Sequence, residues 1–439
     1  MGVGKTLAAL AASAGLFAAA QSAQATVQIE MIAPPTAPFA NQVTGITGKT
    51  NLAGDTRLFL TRKAGSITAY DQATGTFSQF RNLQPYVGGV ATSSNELGLL
   101  GMAFDPGYAT NGHYYVYLTG RTTAGGPVEA QVLRFTDPLK GSGGEASIWK
   151  TSLDGAANHV GGWIDFDASG KLLIAIGDGG DFSGPDSRGT GQDNSDFFGS
   201  ILRIDPYADA FPLDSALNYA VPGDNPVLPG ANPAPEVFVY GVRNPYRNTV
   251  APDGSLIVAD VGNGAREELT IVGATDSNRN LGWALREGDI PTPGGSGGAE
   301  PADYQAPDLA YGHGAGDRAI IGGFVYRGSA VPELFGHYVF GDQVSGNIWA
   351  IRYENGQFVG SRFLLGNIPS LVSFGETSDG ELVATRFAFG AGGGIYRFTS
   401  DGNFAVPEPA SWAMMISGLG LAGGLMRRRP AFQAARRVV

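Results

Sequence analysis

The stretch DASGKLLIAIGDGG (residues 167–180) contains the unit that recurs along this chain of 439 residues. Its Ser-Gly step supplies the positive φ angle of a tight hairpin turn, and the apolar run LLIAI that follows suits a buried strand. Helices are disfavoured because 67 glycines and 26 prolines are spread through the chain, and both residues destabilise helices. The same pattern of turn and strand recurs in five further stretches, at residues 54–70, 98–119, 251–262, 322–351 and 377–387.

Six such units, spaced by roughly 45–70 residues, predict an all-β protein with the fold of a six-bladed β-propeller. A radial array of sheets allows one domain of this length to form with few helices. A pair of β-sandwiches is the alternative arrangement of the same strands. Residues 205–236 and 287–307 lack strand patterning, and we expect them to be long loops between blades on the face that binds ligands.

Both ends of the chain resemble processing signals. Residues 1–25 contain one lysine, an apolar run and a final Ala-Gln-Ala, which predicts a signal peptide cleaved before Thr26. Residues 406–439 contain Pro-Glu-Pro, a short apolar segment at 411–426 and three arginines. This order resembles the PEP-CTERM sorting tail of Gram-negative bacteria; the alternative is an ordinary C-terminal membrane anchor. The folded domain is therefore predicted to span residues 26–405.

The resemblance to a sorting tail implies a route and a partner. An exosortase-type processing enzyme would cut near the Pro-Glu-Pro after the short apolar segment has anchored the chain transiently in the inner membrane. The protein would then reach the periplasm, the outer surface or the extracellular matrix.

Composition excludes some functions. The formal net charge of −11 would repel phosphate backbones, so we expect no nucleic-acid partner. The chain has no cysteine, which excludes disulfides and thiolate metal sites and leaves oxygen-ligated ions such as Ca²⁺.

The segment NHVGGW (158–163) contains one of only four histidines. A strand, a tight turn and a second strand separate His159 from Asp178, so the chain returns beside its start and the two side chains are predicted to meet. A carboxylate bound to one ring nitrogen leaves the other free to act as a base. Gly161 and Gly162 would let a flat ligand approach the backbone. A structural histidine is the alternative.

Two further segments contain candidate ligand groups. Arg243 and Asn244 in YGVRNPYRN (240–248) offer donors for carboxylate or carbonyl oxygens, although Arg243 would equally serve an ion pair between blades. The turn in ADVGNGAREEL (259–269) is followed by Glu267 and Glu268, and turn carbonyls with carboxylates are ligands that Ca²⁺ prefers. A solvated edge strand is the alternative for the two glutamates.

Six motifs then occur in the order found in soluble quinoprotein glucose/sorbosone dehydrogenases. The sequence is most similar to the branch of that family that contains aldose dehydrogenases and Hedgehog-interacting-protein-like proteins. The resemblance covers residues 40 to 400 and implies a six-bladed propeller that binds pyrroloquinoline quinone (PQQ) and Ca²⁺. The motifs are ELGLLGMAFDPGYATNGHYYVYLT (96–119), NHVGGWIDFDASGKLLIAIGDGG (158–180), FGSILRID (198–205), YGVRNPYRN (240–248), ADVGNGAREEL (259–269) and NLGWALREG (280–288).

The resemblance implies roles for individual residues. His159 resembles the general base that takes the proton of the sugar C1 hydroxyl, and Asp178 resembles its orienting carboxylate. Arg243 and Asn244 resemble the pair that contacts the quinone oxygens. Glu96 and Asn158 match the positions that line the sugar side of the cleft. The backbone carbonyls of Gly262 and Asn263 match those that hold the cofactor Ca²⁺. Glu268 and Glu267 match the ligands of a structural Ca²⁺.

This resemblance implies an exported enzyme that transfers hydride from C1 of an aldose to PQQ and then passes electrons to an external acceptor. The chain departs from the family where a lysine and two arginines bind the PQQ carboxylates; here Val344, Ser345, Ser370 and Val372 stand instead. Arg318 or His313 could compensate from a neighbouring loop. The alternative functions are a non-catalytic surface propeller that binds glycans or protein, and a Ca²⁺-dependent lactone hydrolase.

Overall fold

The computed structural model describes residues 27–33, 42–123, 125–137, 139–140, 144–180, 184–295, 299–388 and 393–401. Contacts divide the chain into two units, one of which is Val27–Thr399. The other unit combines Met1–Thr26 with Ser400–Val439. The predicted signal peptide (1–25) and the whole predicted tail (406–439), with its apolar segment 411–426, lie outside the described residues.

The unit Val27–Thr399 is built from six four-stranded sheets. Strand β1 (Val27–Ala33) comes first. The first sheet contains β2 (Val43–Thr47), β3 (Arg57–Arg62), β4 (Ser66–Asp71) and β5 (Thr76–Asn82). The second contains β6 (Leu99–Phe104), β7 (His113–Gly120), β8 (Glu129–Thr136) and β9 (Ala146–Ser152). The third contains β10 (Ile164–Phe166), β11 (Leu172–Ile176), β12 (Ser200–Ile204) and β13 (Val237–Tyr240).

The fourth sheet contains β14 (Thr249–Val250), β15 (Leu256–Asp260), β16 (Arg266–Val272) and β19 (Leu309–Gly312), with a small hairpin of β17 (Arg286–Glu287) and β18 (Ile290–Pro291) before β19. The fifth contains β20 (Ile320–Val325), β21 (His337–Asp342), β22 (Asn347–Glu354) and β23 (Gln357–Asn367). The sixth contains β24 (Leu371–Glu376), β25 (Leu382–Arg386), β26 (Ile395–Ser400) and β1. The described helices are short: α1 (Gln84–Val87), α2 (Tyr108–Asn111) and 3₁₀ turns at His313–Ala315 and Pro332–Leu334.

The six sheets are the blades of a β-propeller, and each predicted unit lies in a different blade, which confirms the predicted fold class. Two β-sandwiches would instead group the strands into pairs of facing sheets. The ring is closed by β1, which supplies the outermost strand of the sixth blade although it lies at the other end of the domain sequence. The backbone N–H of Gly48 also bonds the carbonyl of Glu376 at 3.0 Å, between the first and sixth blades.

The middle strands of the blades are buried on both faces because each sheet packs between two neighbours. All five residues of β11 are buried, which explains why LLIAI is continuously apolar rather than alternating. The largest buried cluster joins the second and third blades and includes Tyr117, Trp149 and Leu172. This packing fixes the loops at the ends of the strands.

The two long loops differ from the prediction in one respect. Residues 205–236 connect β12 to β13, and residues 287–307 lie between β16 and β19, so both occur within a blade rather than between blades. An outermost strand packs against one neighbour in its sheet and tolerates a long excursion, since loop length adds little to the closure entropy. Across the described ranges, no helix is long and apolar enough to span a membrane.

Arg247 crosses the centre of the propeller from the loop before β14. Its guanidinium donates to the carbonyls of Thr44, Leu100 and Tyr246 and, at 3.2 Å, to the hydroxyl of Ser373. Four blades therefore meet on one side chain, which is 7% exposed. Burial lowers the pKa of Arg247, and no carboxylate of the described chain forms an ion pair with it.

We expect Arg247→Met to lower the free energy of unfolding by about 2 kcal/mol or more, because it leaves buried carbonyls without donors. Urea unfolding would measure the change. The matched control is Arg397→Met, which removes an exposed ion pair with Glu30 and should cost about 0–1 kcal/mol. Equal effects of the two substitutions would contradict a central role for Arg247.

Candidate active site

His159 and Asp178 lie in two loops at the same end of the third blade, before β10 and after β11. Nδ1 of His159 is 2.8 Å from Oδ1 of Asp178, so the contact predicted from the hairpin between them is present. The two residues are only 8% and 1% exposed. The geometry is that of a base with an orienting carboxylate, and the catalytic role of the pair stays a prediction.

The carboxylate of Asp178 is held by three donors. Besides the His159 ring, Oδ1 accepts the N–H of Gly180 at 2.8 Å, and Oδ2 accepts Nε1–H of Trp283 at 2.7 Å. Because these donors hold the carboxylate as an acceptor, we assign the proton of the neutral imidazole to Nδ1, which leaves Nε2 as an acceptor. Sequence reasoning gave Trp283 no role, although the motif NLGWALREG contains it.

The two glycines after His159 serve packing within the protein. A Cβ on Gly161 would lie 2.4 Å from the carbonyl oxygen of Ala175, and one on Gly162 would lie 2.5 Å from Cβ of Leu100. Packing against the third and second blades therefore accounts for both glycines, and the expectation that they let a flat ligand approach the backbone stays a prediction. His159 itself has a positive φ of 49°, a rare backbone conformation for a side chain of this size.

Glu96 reaches this loop from the second blade. Its Oε2 accepts the backbone N–H of His159 at 2.6 Å and lies 3.4 Å from Nδ2 of Asn244. Glu96 therefore connects the predicted base with the predicted quinone-side residue. Asn158 is half-buried beside His159, and the contacts of the described residues give its side chain no hydrogen bond.

A buried carboxylate also fixes Arg243 and Asn244. Oδ2 and Oδ1 of Asp260 accept their backbone N–H groups, each at 2.7 Å, and the amide oxygen of Asn244 accepts the N–H of Gly161 at 3.2 Å. Burial raises the pKa of Asp260 to about 7, while the two N–H donors act in the opposite direction. Sequence reasoning did not single out Asp260 because a strand-end aspartate is common.

Arg243 extends along the turn that follows β15. Its Nη1 donates to the carbonyls of Val261 and Gly262 at 3.1 and 2.8 Å, and the guanidinium carbon lies 5.6 Å from the ring centre of Trp283. The carbonyl of Gly262, expected to bind the cofactor Ca²⁺, is thus already an acceptor for Arg243. Asn263, the other expected carbonyl ligand, is exposed.

The same turn wraps around a carboxylate that sequence reasoning missed. Oε1 of Glu287 accepts four consecutive backbone N–H groups, from residues 263 to 266, at distances of 2.7–3.1 Å. Its Oε2 is buried and has no hydrogen-bond partner in the structure. The signal for Glu287 is again the motif NLGWALREG, which places it four residues after Trp283.

Glu267 and Glu268 have different environments. Glu267 is satisfied, because Oε1 bonds Nε2 of His313 at 2.8 Å and Oε2 accepts N–H groups of Gly262 and Ile320. Glu268 keeps a buried Oε2 without a partner. Burial raises the pKa of Glu268 well above its ordinary value, and nearby acidic groups add to the shift. Among the described residues, no group of three or more acidic, histidine or cysteine side chains is arranged to hold a metal.

A cavity of about 330 Å³ lies at the centre of the propeller and is lined by residues of five blades. Asn244 and Glu96 belong to its wall, as do Thr44 and Leu100, whose carbonyls accept from Arg247. A second cavity of about 300 Å³ lies on the other side and includes Arg247 in its wall. The Arg247 side chain therefore forms a floor between the two, and the first is called here the upper cavity.

The fifth and sixth blades contribute neutral side chains to the upper cavity: Ala319, Ile320, Ile321, Gln343, Val372 and Phe387. Val344, at one of the family's cationic positions, is 54% exposed. His313 is engaged by Glu267, and Arg318 has an exposed side chain. Neither of the two residues expected to compensate lines this cavity.

Comparison with solved structures agrees with the fold. The PQQ-bound form of aldose sugar dehydrogenase from Streptomyces coelicolor aligns with a TM-score of 0.61 and 21% sequence identity, covering 86% of this chain and 99% of that chain. At this identity the likeness shows a shared fold, the six-bladed propeller that the sheets define.

The chain belongs to the glucose/sorbosone dehydrogenase family, whose family model, described as Glucose / Sorbosone dehydrogenase, matches residues 49–386. The HIPL2 protein of Arabidopsis thaliana is 27% identical over 419 residues, covering 80% of this chain and 58% of that protein. The Hedgehog-interacting protein of Homo sapiens is 29% identical over 309 residues, covering 68% of this chain and 41% of that protein. The chain thus spans about half the length of these relatives. These findings confirm the resemblance inferred from the six motifs.

A PEP-CTERM protein-sorting motif matches residues 405–429. This match confirms the resemblance of the tail to a sorting signal and indicates an exported protein. The signal peptide, the cleavage sites and the domain boundaries at residues 25 and 405 stay predictions.

We expect Glu268→Gln to change how stability depends on pH when metal ions are chelated. The pKa of Glu268 is raised in the folded state, so its stabilising contribution is present at low pH and is lost as the pH rises through the folded pKa. As the pH rises above about 5, the wild type should therefore lose stability relative to Glu268→Gln, by about 1.4 kcal/mol per pH unit until Glu268 releases its proton in the folded protein.

Denaturant unfolding in EDTA at several pH values would measure this difference. Glu354→Gln, which removes an exposed glutamate paired with Arg352, is the control and should show no such trend. A constant difference between wild type and Glu268→Gln would contradict the raised pKa.

Proposed function

We propose that the protein is an exported quinoprotein-type dehydrogenase that oxidises the C1 hydroxyl of aldoses. The observation that carries this proposal is the buried His159–Asp178 pair, in which Asp178 engages one ring nitrogen of His159. Glu96 joins the loop of His159 to Asn244, because it accepts the backbone N–H of His159 and bonds the side chain of Asn244. Membership of the glucose/sorbosone dehydrogenase family supports the same reaction class.

In this proposal Nε2 of His159 takes the proton of the sugar hydroxyl, and Asp178 stabilises the imidazolium that forms. PQQ, when bound, would supply the two-electron acceptor for the hydride. Arg243 uses Nη1 for two backbone carbonyls, while its other guanidinium N–H groups have no acceptor among the described residues and could face quinone oxygens. Trp283 and Asp260 hold these groups in place and thereby reduce the reorganisation needed during reaction.

The residues present fit PQQ at one end of the cleft. The base, Arg243 and Asn244 are assembled, but the positions that hold its carboxylates elsewhere in the family are neutral here. Glu96 and Asn158 would line the sugar side. An external electron acceptor would complete turnover, and an exosortase-type enzyme would process the tail in the periplasm or at the outer surface, including the extracellular matrix.

For Ca²⁺, the buried Oε2 atoms of Glu268 and Glu287 are the groups that fit, because each lacks a partner in the structure and buried carboxylates require compensation. Glu267 fits less well, since its oxygens already accept three hydrogen bonds. The carbonyls of Gly262 and Asn263 stay candidates for a cofactor-bound ion. Glu268 and Glu287 would stabilise the turn that supports Arg243 when they bind the cation.

The second candidate function is a non-catalytic propeller that binds glycans or protein. The neutral side chains that the fifth and sixth blades contribute to the upper cavity favour it, as does the broad similarity to the Hedgehog-interacting protein. A Ca²⁺-dependent lactone hydrolase would leave the ordered Arg243–Asn244 pair without a role.

We expect His159→Ala to lower sugar-dependent dye reduction by about 10²–10⁴-fold, because it removes the general base. The assay would use purified protein titrated with PQQ and Ca²⁺ and a panel of aldoses, with the melting temperature measured in parallel. His113→Ala, which changes a histidine at the start of β7 in the second blade, is the control. Unchanged turnover in His159→Ala would rule out the base, and no PQQ uptake by the wild type would favour the binding propeller.

A further inference from the structure

The wall of the upper cavity contains one cation that the family resemblance does not assign. Of the described residues around this cavity, Lys63 and Glu96 are the charged ones. Lys63 follows β3 in the first blade, which adjoins the sixth blade where the ring closes. The positive charge at the cavity is therefore on the first blade and not at the positions of the family's usual clamp.

The ammonium group of Lys63 is held in place by backbone carbonyls. Nζ donates to the carbonyl of Thr92 at 2.6 Å and to that of Asn95. Asn95 and Ser93 also line the cavity, so the ammonium lies at its wall. An ammonium has three N–H donors, and two are used, which leaves one for a ligand.

The charge of Lys63 lacks a direct counter-ion. Lys63 is 7% exposed, and no carboxylate of the described residues forms an ion pair with it. Glu96 opposes the lowering of the Lys63 pKa by burial, but Oε2 of Glu96 is committed to His159 and Asn244. A buried cation in this state is stabilised by an incoming anion.

Arg247, which forms the floor of the cavity, adds a second positive charge. Arg247 has only neutral acceptors, which are carbonyls and hydroxyls. It bonds the carbonyls of Thr44 and Leu100, which belong to the upper cavity. Two buried cations without ion-pair partners therefore border the cavity, Lys63 at its wall and Arg247 at its floor. The one carboxylate there, that of Glu96, is already hydrogen-bonded.

We propose that the upper cavity binds a ligand carboxylate, and that Lys63 is the residue that holds it. The carboxylate could belong to PQQ or to an acidic sugar such as a uronate, and the chemistry at Lys63 is the same for both. The proposal concerns binding, so it applies to the dehydrogenase and to the binding propeller alike. It also gives a chain without cations at the family's clamp positions one group that could bind a carboxylate of PQQ.

The test compares charged ligands with uncharged counterparts of similar shape. Calorimetric titration of the purified full-length protein would give the Kd of PQQ and of phenanthroline-5,6-dione, an o-quinone without carboxylates, and the Kd of glucuronate and of glucose. We expect Lys63→Met to weaken the binding of a carboxylated ligand by about 10–100-fold relative to its uncharged counterpart, as loss of a charge-assisted hydrogen bond would do.

Lys63→Gln separates charge from loop support, because it keeps an N–H donor for the carbonyls of Thr92 and Asn95 but removes the charge. It should show the same selective loss even if Lys63→Met folds poorly. The matched control is Lys150→Gln, on the outer strand of the second blade, where the lysine pairs with Glu129 at 3.0 Å; it should leave every Kd unchanged.

Each outcome decides between the explanations. Selective loss with PQQ assigns Lys63 to the cofactor, and selective loss with glucuronate alone assigns it to an acidic sugar. Glucuronate binding without PQQ uptake would refute the proposed dehydrogenase and support the carboxylate site. The role of Lys63 would be overturned if its substitutions weakened the binding of charged and uncharged ligands equally, or weakened neither. It would also be overturned if the wild type preferred neither carboxylated ligand to its uncharged counterpart.

Discussion

The guanidinium of Arg247 is the contact on which the centre of this propeller depends. Blades in such a ring pack mainly against their neighbours, and the axis between them has few side chains to fill it. Arg247 joins the fourth blade to the first, second and sixth and separates the channel into two cavities. The upper cavity has a defined floor for this reason, and Asn244 and Glu96 are held at its wall.

Buried carboxylates organise each functional loop around that cavity. Asp178 fixes the ring of His159, Asp260 fixes the backbone of Arg243 and Asn244, and Glu287 collects four N–H groups of the turn after β15. Hydrogen bonds to a charged acceptor are among the strongest in proteins. Each loop is therefore rigid although it has little regular structure, as a preorganised site requires.

The sequence was sufficient to predict the six blades, because each turn and its apolar strand are local signals that the blade packing reinforces. It also predicted the contact between His159 and Asp178, since a single hairpin joins them. Trp283, Glu287 and Lys63 could not be predicted to lie beside the site, because their positions depend on long connections and on packing between blades. The packing of the two glycines of NHVGGW was not predicted either, because the groups that a side chain would meet there come from β11 and the second blade.

The arrangement of charges around the cavity argues for a ligand. Buried carboxylates such as those of Glu268 and Glu287, and buried cations such as Lys63 and Arg247, cost stability unless a partner compensates them. Here the acids and the cations lie apart, and the described residues form no ion pair between the two groups. Replacing them with apolar residues would increase the stability of a protein held together by packing alone. Their combination is therefore typical of a binding site, where residues are kept for the ligand at a cost in stability. The two groups also call for opposite ligands, a cation at the turn after β15 and an anion at the wall of the first blade.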